Sequence, residues 1–329
     1  MKHATKIITA SMLFIALCMF SITGSVYAAP FITGDVFAGT GSGTVEHWRA
    51  GTGLVASYST GQGGYETGMA FDSSGNLNVT NFSASNVTRF DTNGAVLGSN
   101  PFISNDSSAH NESIVFDQSG NFYVGQPDGT ADVLKYAADG TFLARFDVPD
   151  DARGTDWIDL AADQTTLYYT SEGRKIQRWN VGTNSALADF ATLPGSGNAF
   201  ALRLLGDGGV IVADGSDIKR LNSSGTVVQT YDVAGQDNWF ALNRDPDGTT
   251  FWSADYGTGL IQQFDLLAGT TLISFNSTSG GPWGLAVFGE ITEGGPEPGC
   301  KPIPEPATMT LLGAGLAGLA FVRRKIKKQ

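Results

Sequence analysis

Along residues 66–97 the chain alternates short apolar runs with clusters of turn-forming residues. The apolar runs are 69–71, 77–79, 87–90 and 95–97, and the clusters are Asp72-Ser73-Ser74-Gly75-Asn76 and Asp91-Thr92-Asn93-Gly94. Runs this short, bounded by Asp, Asn and Gly, predict four strands joined by tight turns, an antiparallel meander. Asp and Asn suit such turns because their side chains bond nearby backbone amides, and Gly accepts positive φ without a Cβ clash.

The unit recurs. Phe116-Asp117-Gln118-Ser119-Gly120-Asn121-Phe122 repeats the first turn, and residues 134–143 repeat the second half. Looser copies follow around Asp163, Asp207 and Asp245. Taking the entry of each innermost strand as Glu66, Asn111, Asp156, Asn198, Asn238 and Pro282 gives spacings of 45, 45, 42, 40 and 44 residues. Such a period suits a four-stranded propeller blade. The sixth inner strand, 282–287, has no partners after it, whereas residues 35–56 near the other end supply three strands without an inner one. Joining them closes a ring and removes two sheet edges. The expectation is an all-β, six-bladed β-propeller over residues 30–290, closed by N- and C-terminal strands, with seven blades or an open sandwich as competitors. No gap between strands shows helical periodicity, which argues against a parallel α/β fold.

The two ends differ from the repeats. Residues 1–28 have a basic start (Lys2, Lys6), an apolar run at 7–22 and the small-residue pattern Val26-Tyr27-Ala28, which predicts a helical secretory signal peptide cut after Ala28. Leu17 before Cys18 argues against a lipoprotein. Cleavage leaves Cys300 as the sole cysteine, so no internal disulfide forms. Residues 291–306 read as a Pro/Gly-rich linker. Residues 307–329 begin with 16 uncharged residues and end in a basic cluster with Arg323, Arg324 and Lys325. At 1.5 Å per residue the apolar part spans about 24 Å as a helix, and snorkelling by the basic side chains extends it, so a C-terminal transmembrane helix with its basic end cytoplasmic is expected.

Pro304, Glu305 and Pro306, the short apolar span and the terminal basic cluster together resemble the PEP-CTERM sorting signal of Gram-negative bacteria. The resemblance implies an exosortase as partner, inner-membrane anchoring before processing, cleavage near the tripeptide, and delivery to the cell surface or an exopolysaccharide matrix such as a biofilm. Pro296-Glu297-Pro298 repeats the tripeptide upstream, and an ordinary C-terminal membrane anchor is the competing reading. The repeats resemble NHL-repeat propellers and, more distantly, gluconolactonase and regucalcin-like propellers.

Between Pro30 and Cys300, 31 acidic residues stand against 12 basic ones, a charge of about −19. That field repels phosphate backbones and argues against nucleic-acid binding. Glu66, Asn111, Asp156, Asn198 and Asn238 would ring one mouth of the channel. These oxygen ligands suit Ca²⁺ or another divalent cation, unless they only bond strand-entry amides or water. The lactonase-like resemblance implies a metal held by Glu66, Asn111, Asp156 and Asn198, with Asp156 or Glu66 as base. The next column carries Trp157, Trp239 and Trp283, which would stack on sugar rings or act as wedges between blades. His47 is expected half-exposed in a strand and His110 solvated in a loop, and neither has zinc-site spacing. Two functions remain open: a non-enzymatic binding or scaffold module for a polysaccharide or surface protein, and a metal-dependent lactonase-type hydrolase.

Overall fold

The computed structural model describes residues 29–105, 108–130 and 132–295. The segments expected to be a signal peptide and a transmembrane sorting helix, the Pro304-Glu305-Pro306 motif and Cys300 lie outside the described residues. Six antiparallel sheets, each running from an inner to an outer strand, make the six blades. No helix occurs among the described residues.

Blade one comprises Glu66–Phe71, Leu77–Asn81, Asn86–Phe90 and Ile103–Ser104, and blade two comprises Ser113–Phe116, Phe122–Gly125, Val133–Tyr136 and Phe142–Phe146. Blade three has Ile158–Leu160, Thr166–Tyr169 and Lys175–Asn180, whose outer side is paired in two pieces, Ser185–Ala186 and Ala191–Thr192. Blade four is Leu202–Leu204, Val210–Ala213, Ile218–Leu221 and Val227–Tyr231, and blade five is Trp239–Arg244, Thr250–Asp255, Leu260–Asp265 and Thr271–Asn276. In blade six the C-terminal Pro282–Val287 is innermost, followed by Val36–Thr40, Thr44–Arg49 and Gly53–Ser59. Val36 pairs with Val287, Phe37 with Ala286 and Ala38 with Leu285, so the two ends of the domain close one sheet as the sequence predicts.

The turns form for the anticipated reason. Asp72 Oδ1 accepts from the N–H of Ser74 (2.8 Å) and of Asn76 (3.0 Å), and its other oxygen accepts from the Asn76 amide at 2.9 Å. Asp117 repeats all three bonds with Ser119 and Asn121. Gly75 and Gly120 sit at φ 80° and 82°, where a side chain would be strained.

Three expectations change. Residues 95–97 contribute only a bridge between Phe90 and Val96, and Ile103–Ser104 takes the outer edge of blade one. Val96 is exposed there, so its apolar side chain gains little from strand pairing. His47 is fully buried, stacked on Phe37 and bonded to Asp35 (2.7 Å) and Tyr58 (2.9 Å). Finally, residues 291–295, assigned above to the linker, are seated on the propeller: Glu293 pairs with Arg244 at 2.7 Å, Gln164 donates to the Gly294 carbonyl at 2.9 Å, and Gly294 and Gly295 are buried. This strap leaves blade six and reaches blade three, on the other side of the ring.

Candidate functional site

The inner strands enter the ring at one end of the channel and leave it at the other. At the entry end, Glu112 N–H donates to the Gly125 carbonyl, Asp156 N–H to the Thr170 carbonyl and Phe200 N–H to the Ala213 carbonyl. Each bond links an inner strand to the exit of its second strand, so the three residues occupy the same step of blades two, three and four. The sequence alignment placed Asp156 level with Asn111, and Asn198 level with Asp156. The ladder instead sets Asp156 level with Glu112, one residue past Asn111, and with Phe200, two residues past Asn198. A slip of one residue in a strand sends the side chain to the opposite face.

A cavity of about 330 Å³ opens at this mouth. One wall is aromatic, made of Tyr65, Phe82, Phe200, Phe240, Tyr256 and Trp283, and Glu112, Glu172, Arg153 and Thr67 supply the polar part. Trp283 stacks on Tyr256 with ring centres 4.2 Å apart and meets Tyr65 edge-on at 5.0 Å. Such mutual packing holds the rings rigid before any ligand arrives.

Beside that wall Glu112, Asp156 and Glu172 bring carboxylate oxygens within 4.8 Å of one another. Both oxygens of Asp156 and Oε2 of Glu112 are buried without hydrogen-bond partners. Burial first, and then the charge of Asp156, pushes the Glu112 carboxyl well above the usual range. Burial first, and then the charge of Glu172, does the same to Asp156. Two such groups cannot both ionise cheaply, so they share a proton or bind a cation. Arg153 spans the rim, donating to both oxygens of Asp128 (3.0 and 2.6 Å) and to Glu172 at 2.6 Å. Hydrogen bonding to Asp128 is the main cause that raises its already high pKa. His110, expected to be solvated, stacks on Phe82 at 4.4 Å and bonds Asp128 at 2.6 Å. A larger cavity of about 730 Å³ lies over the outer strands of blades one and two, but its acid, Asp132, is already paired with Arg145.

The five predicted oxygen ligands do not turn to a common point. Glu66 is buried with its carboxylate on Thr60 (2.5 Å) and Asn81 (2.9 Å). Asn111 accepts from Asn105 and Gln126, Asn198 is exposed, and the Asn238 N–H bonds Asp255. Only Asp156 of the set joins the acid cluster. Among the tryptophans, Trp157 and Trp239 are 1% and 0% exposed and pack in the core as wedges, whereas Trp283 lines the cavity. The sequence reading missed Glu172, Arg153, Tyr65, Phe82, Phe200, Phe240 and Tyr256 as site residues. Phe82 and Tyr256 each directly follow a second strand, and a column drawn at those exits would have found them.

Residues 302–325 match the PEP-CTERM protein-sorting motif. This motif is the exosortase recognition signal and indicates an exported protein with a C-terminal, membrane-anchored sorting signal. No curated protein matches the chain. Among solved structures, a chain of a nidogen/laminin complex shares 17% identity over 77% of this chain and 97% of its own, with a TM-score of 0.61. A protein of unknown function from Bacteroides caccae shares 15% over 78% and 98%, also at 0.61. A virginiamycin B lyase from Staphylococcus aureus shares 14% over 75% and 85%, at 0.54. At these identities the likeness is one of fold, the propeller, and no more.

Proposed function

We propose that the protein is an exported, surface- or matrix-associated propeller that serves as a non-enzymatic binding module, holding a neutral or amino-sugar unit of an extracellular polysaccharide in its mouth cavity. The observation that carries this reading is the pairing of a preformed aromatic wall, centred on Trp283, with the carboxyl groups of Glu112 and Glu172 across one cavity of about 330 Å³. That volume is at the small end of ligand pockets and suits one ring. Aromatic faces stack on the apolar face of a sugar, and carboxylates accept its hydroxyl or ammonium protons. The domain's acidity and the acid cluster disfavour uronic acids. Sorting by an exosortase to a Gram-negative cell surface or exopolysaccharide matrix would put such a module among its ligands.

Titration of the protein with neutral, amino and acidic saccharides, read by tryptophan fluorescence, tests this. A saturable change with a neutral or amino sugar that disappears in Trp283→Ala is expected. No saturation with any saccharide, or an unaltered titration in Trp283→Ala, would overturn it.

A second reading, a metal-dependent lactonase-type hydrolase, draws on the unpartnered oxygens of Asp156 and Glu112. Glu112, Asp156 and Glu172 would hold Ca²⁺ or another divalent cation, which would supply Lewis-acid polarisation of an ester carbonyl. A ligand specific to the folded state must raise its melting temperature. Unchanged melting with excess Ca²⁺, Mg²⁺, Mn²⁺ or Zn²⁺ would remove this reading and leave the first intact.

A further inference from the structure

The mouth cavity brings together more acid than base. Arg153 is the only cationic side chain among the residues that line it, and its N–H groups already serve Asp128 and Glu172. Glu112 and Asp156 stand beside that network without a donor of their own. Oε2 of Glu112 and both oxygens of Asp156 are buried and unpartnered, and Glu112, only 3% exposed, is itself part of the cavity wall. Buried carboxyl oxygens without donors are costly, and a positively charged donor satisfies them best.

The spacing narrows the chemistry of that donor. Ligand oxygens of Glu112, Asp156 and Glu172 lie within 4.8 Å of one another. A nitrogen equidistant from three oxygens at that separation is about 2.8 Å from each (4.8/√3), the length of an ammonium–carboxylate hydrogen bond. A primary ammonium carries three N–H donors, one for each carboxyl group. A hard divalent cation wants more oxygens than these and would draw nothing from the aromatic faces. Those faces attract an organic cation through the ring quadrupole. The wall already does so once, because the Arg153 guanidinium lies over Phe82, 5.7 Å from the ring centre.

We propose that the mouth selects a protonated primary amine, so that the sugar it holds is a hexosamine with a free amino group, its ammonium among Glu112, Asp156 and Glu172 and its ring against Trp283. The inference rests on the saccharide reading for the ring, whereas the charge is assigned by the carboxyl groups. The stacked pair Trp283 and Tyr256, met edge-on by Tyr65, offers a face broad enough for the C–H side of a pyranose. A lysine side chain, a flexible four-carbon stem, would cover only part of it. N-acetylation of the sugar removes the charge and two of the three donors, so the acetylated form should bind more weakly.

Calorimetric titration of the full chain in detergent, near neutral pH and with a chelator present, compares glucosamine, N-acetylglucosamine, glucose and Nα-acetyl-lysine amide. Glucosamine should bind roughly tenfold or more tighter than either other sugar. That preference should fall to near unity in Glu112→Gln, and in Glu172→Gln as a second variant, with thermal melts confirming that each is folded. Equal affinities for the three sugars, or an unchanged preference in both folded variants, would overturn the inference and leave the saccharide reading standing. Tighter binding of the lysine derivative than of any sugar would overturn both. A preference that appears only when Ca²⁺ replaces the chelator would overturn the ammonium assignment in favour of a metal.

Discussion

Glu112 and Asp156 stand at the same step of neighbouring blades, each bonded through its N–H to the exit of its own second strand, with their buried carboxyl groups close to one another. Sequence neighbours 44 positions apart thus become a coupled acid pair. The pair is costly to ionise, which gives the first prediction.

Stability should fall as pH rises from about 5 toward 9. Burial raises the carboxyls of Glu112 and Asp156, lifts Glu66 to about 8 and Glu290 to about 7. For a raised acid, the stabilisation is fully present below the unfolded value, 4.5 for Glu, and is lost as pH climbs through the folded value. Thermal melts across this range check the trend. Glu112→Gln should flatten the alkaline limb and raise the melting temperature at pH 8, and an unchanged pH profile would contradict the coupling.

Trp283→Ala and Trp239→Ala should differ sharply. Trp239 is fully buried, so its truncation should cost about 3–5 kcal/mol, seen as an early denaturant midpoint. Trp283 is only partly buried at the cavity, so its loss should cost less stability and abolish saccharide binding.

Loss of the turn carboxylate in Asp117→Ala should destabilise the domain by about 1–3 kcal/mol, because it leaves the amides of Ser119 and Asn121 without their acceptor. Asp139→Ala, in a more exposed turn where the side chain accepts from Thr141, should cost clearly less. Urea titration of both variants gives the comparison.

Three truncations should separate the C-terminal pieces. Removing residues 296–329 should be nearly silent, and removing 288–329 should cost the strap's ion pair and the burial of Glu290. Removing 282–329 exposes Leu285, Val287 and the edge of Val36–Thr40. At about 1.5–3 kcal/mol for each large apolar side chain, plus the lost ladder, that last cut approaches the roughly 5–15 kcal/mol that holds a domain together. Melting temperatures in that order are expected.

The ring and its closure were legible because turn chemistry is local: Asp72 and Asp117 act on residues within four positions, so the repeat survives in the text. The mouth was only half legible. Asp156 and Trp283 were singled out, but the column slipped by one residue at blade three and by more at blade four, where the entry loops differ in length. That slip exchanged Phe240 for the buried Trp239. Arg153 and Glu172 come from loops outside the repeat, and what brings them to the mouth is a salt bridge that no period announces.

Pairing Val36 with Val287 ties residues that are 251 positions apart, and this sets an order of events during export. If the chain crosses the membrane from its N-terminus, the three outer strands of blade six emerge first and wait beside an unfilled inner place. Their missing partner arrives only after five complete blades, just ahead of the sorting motif at 302–325. Folding of the ring and arrival of the sorting signal are thereby synchronised: a chain that stalls before residue 282 presents both an open sheet edge and no address, and is marked as unfinished on two counts.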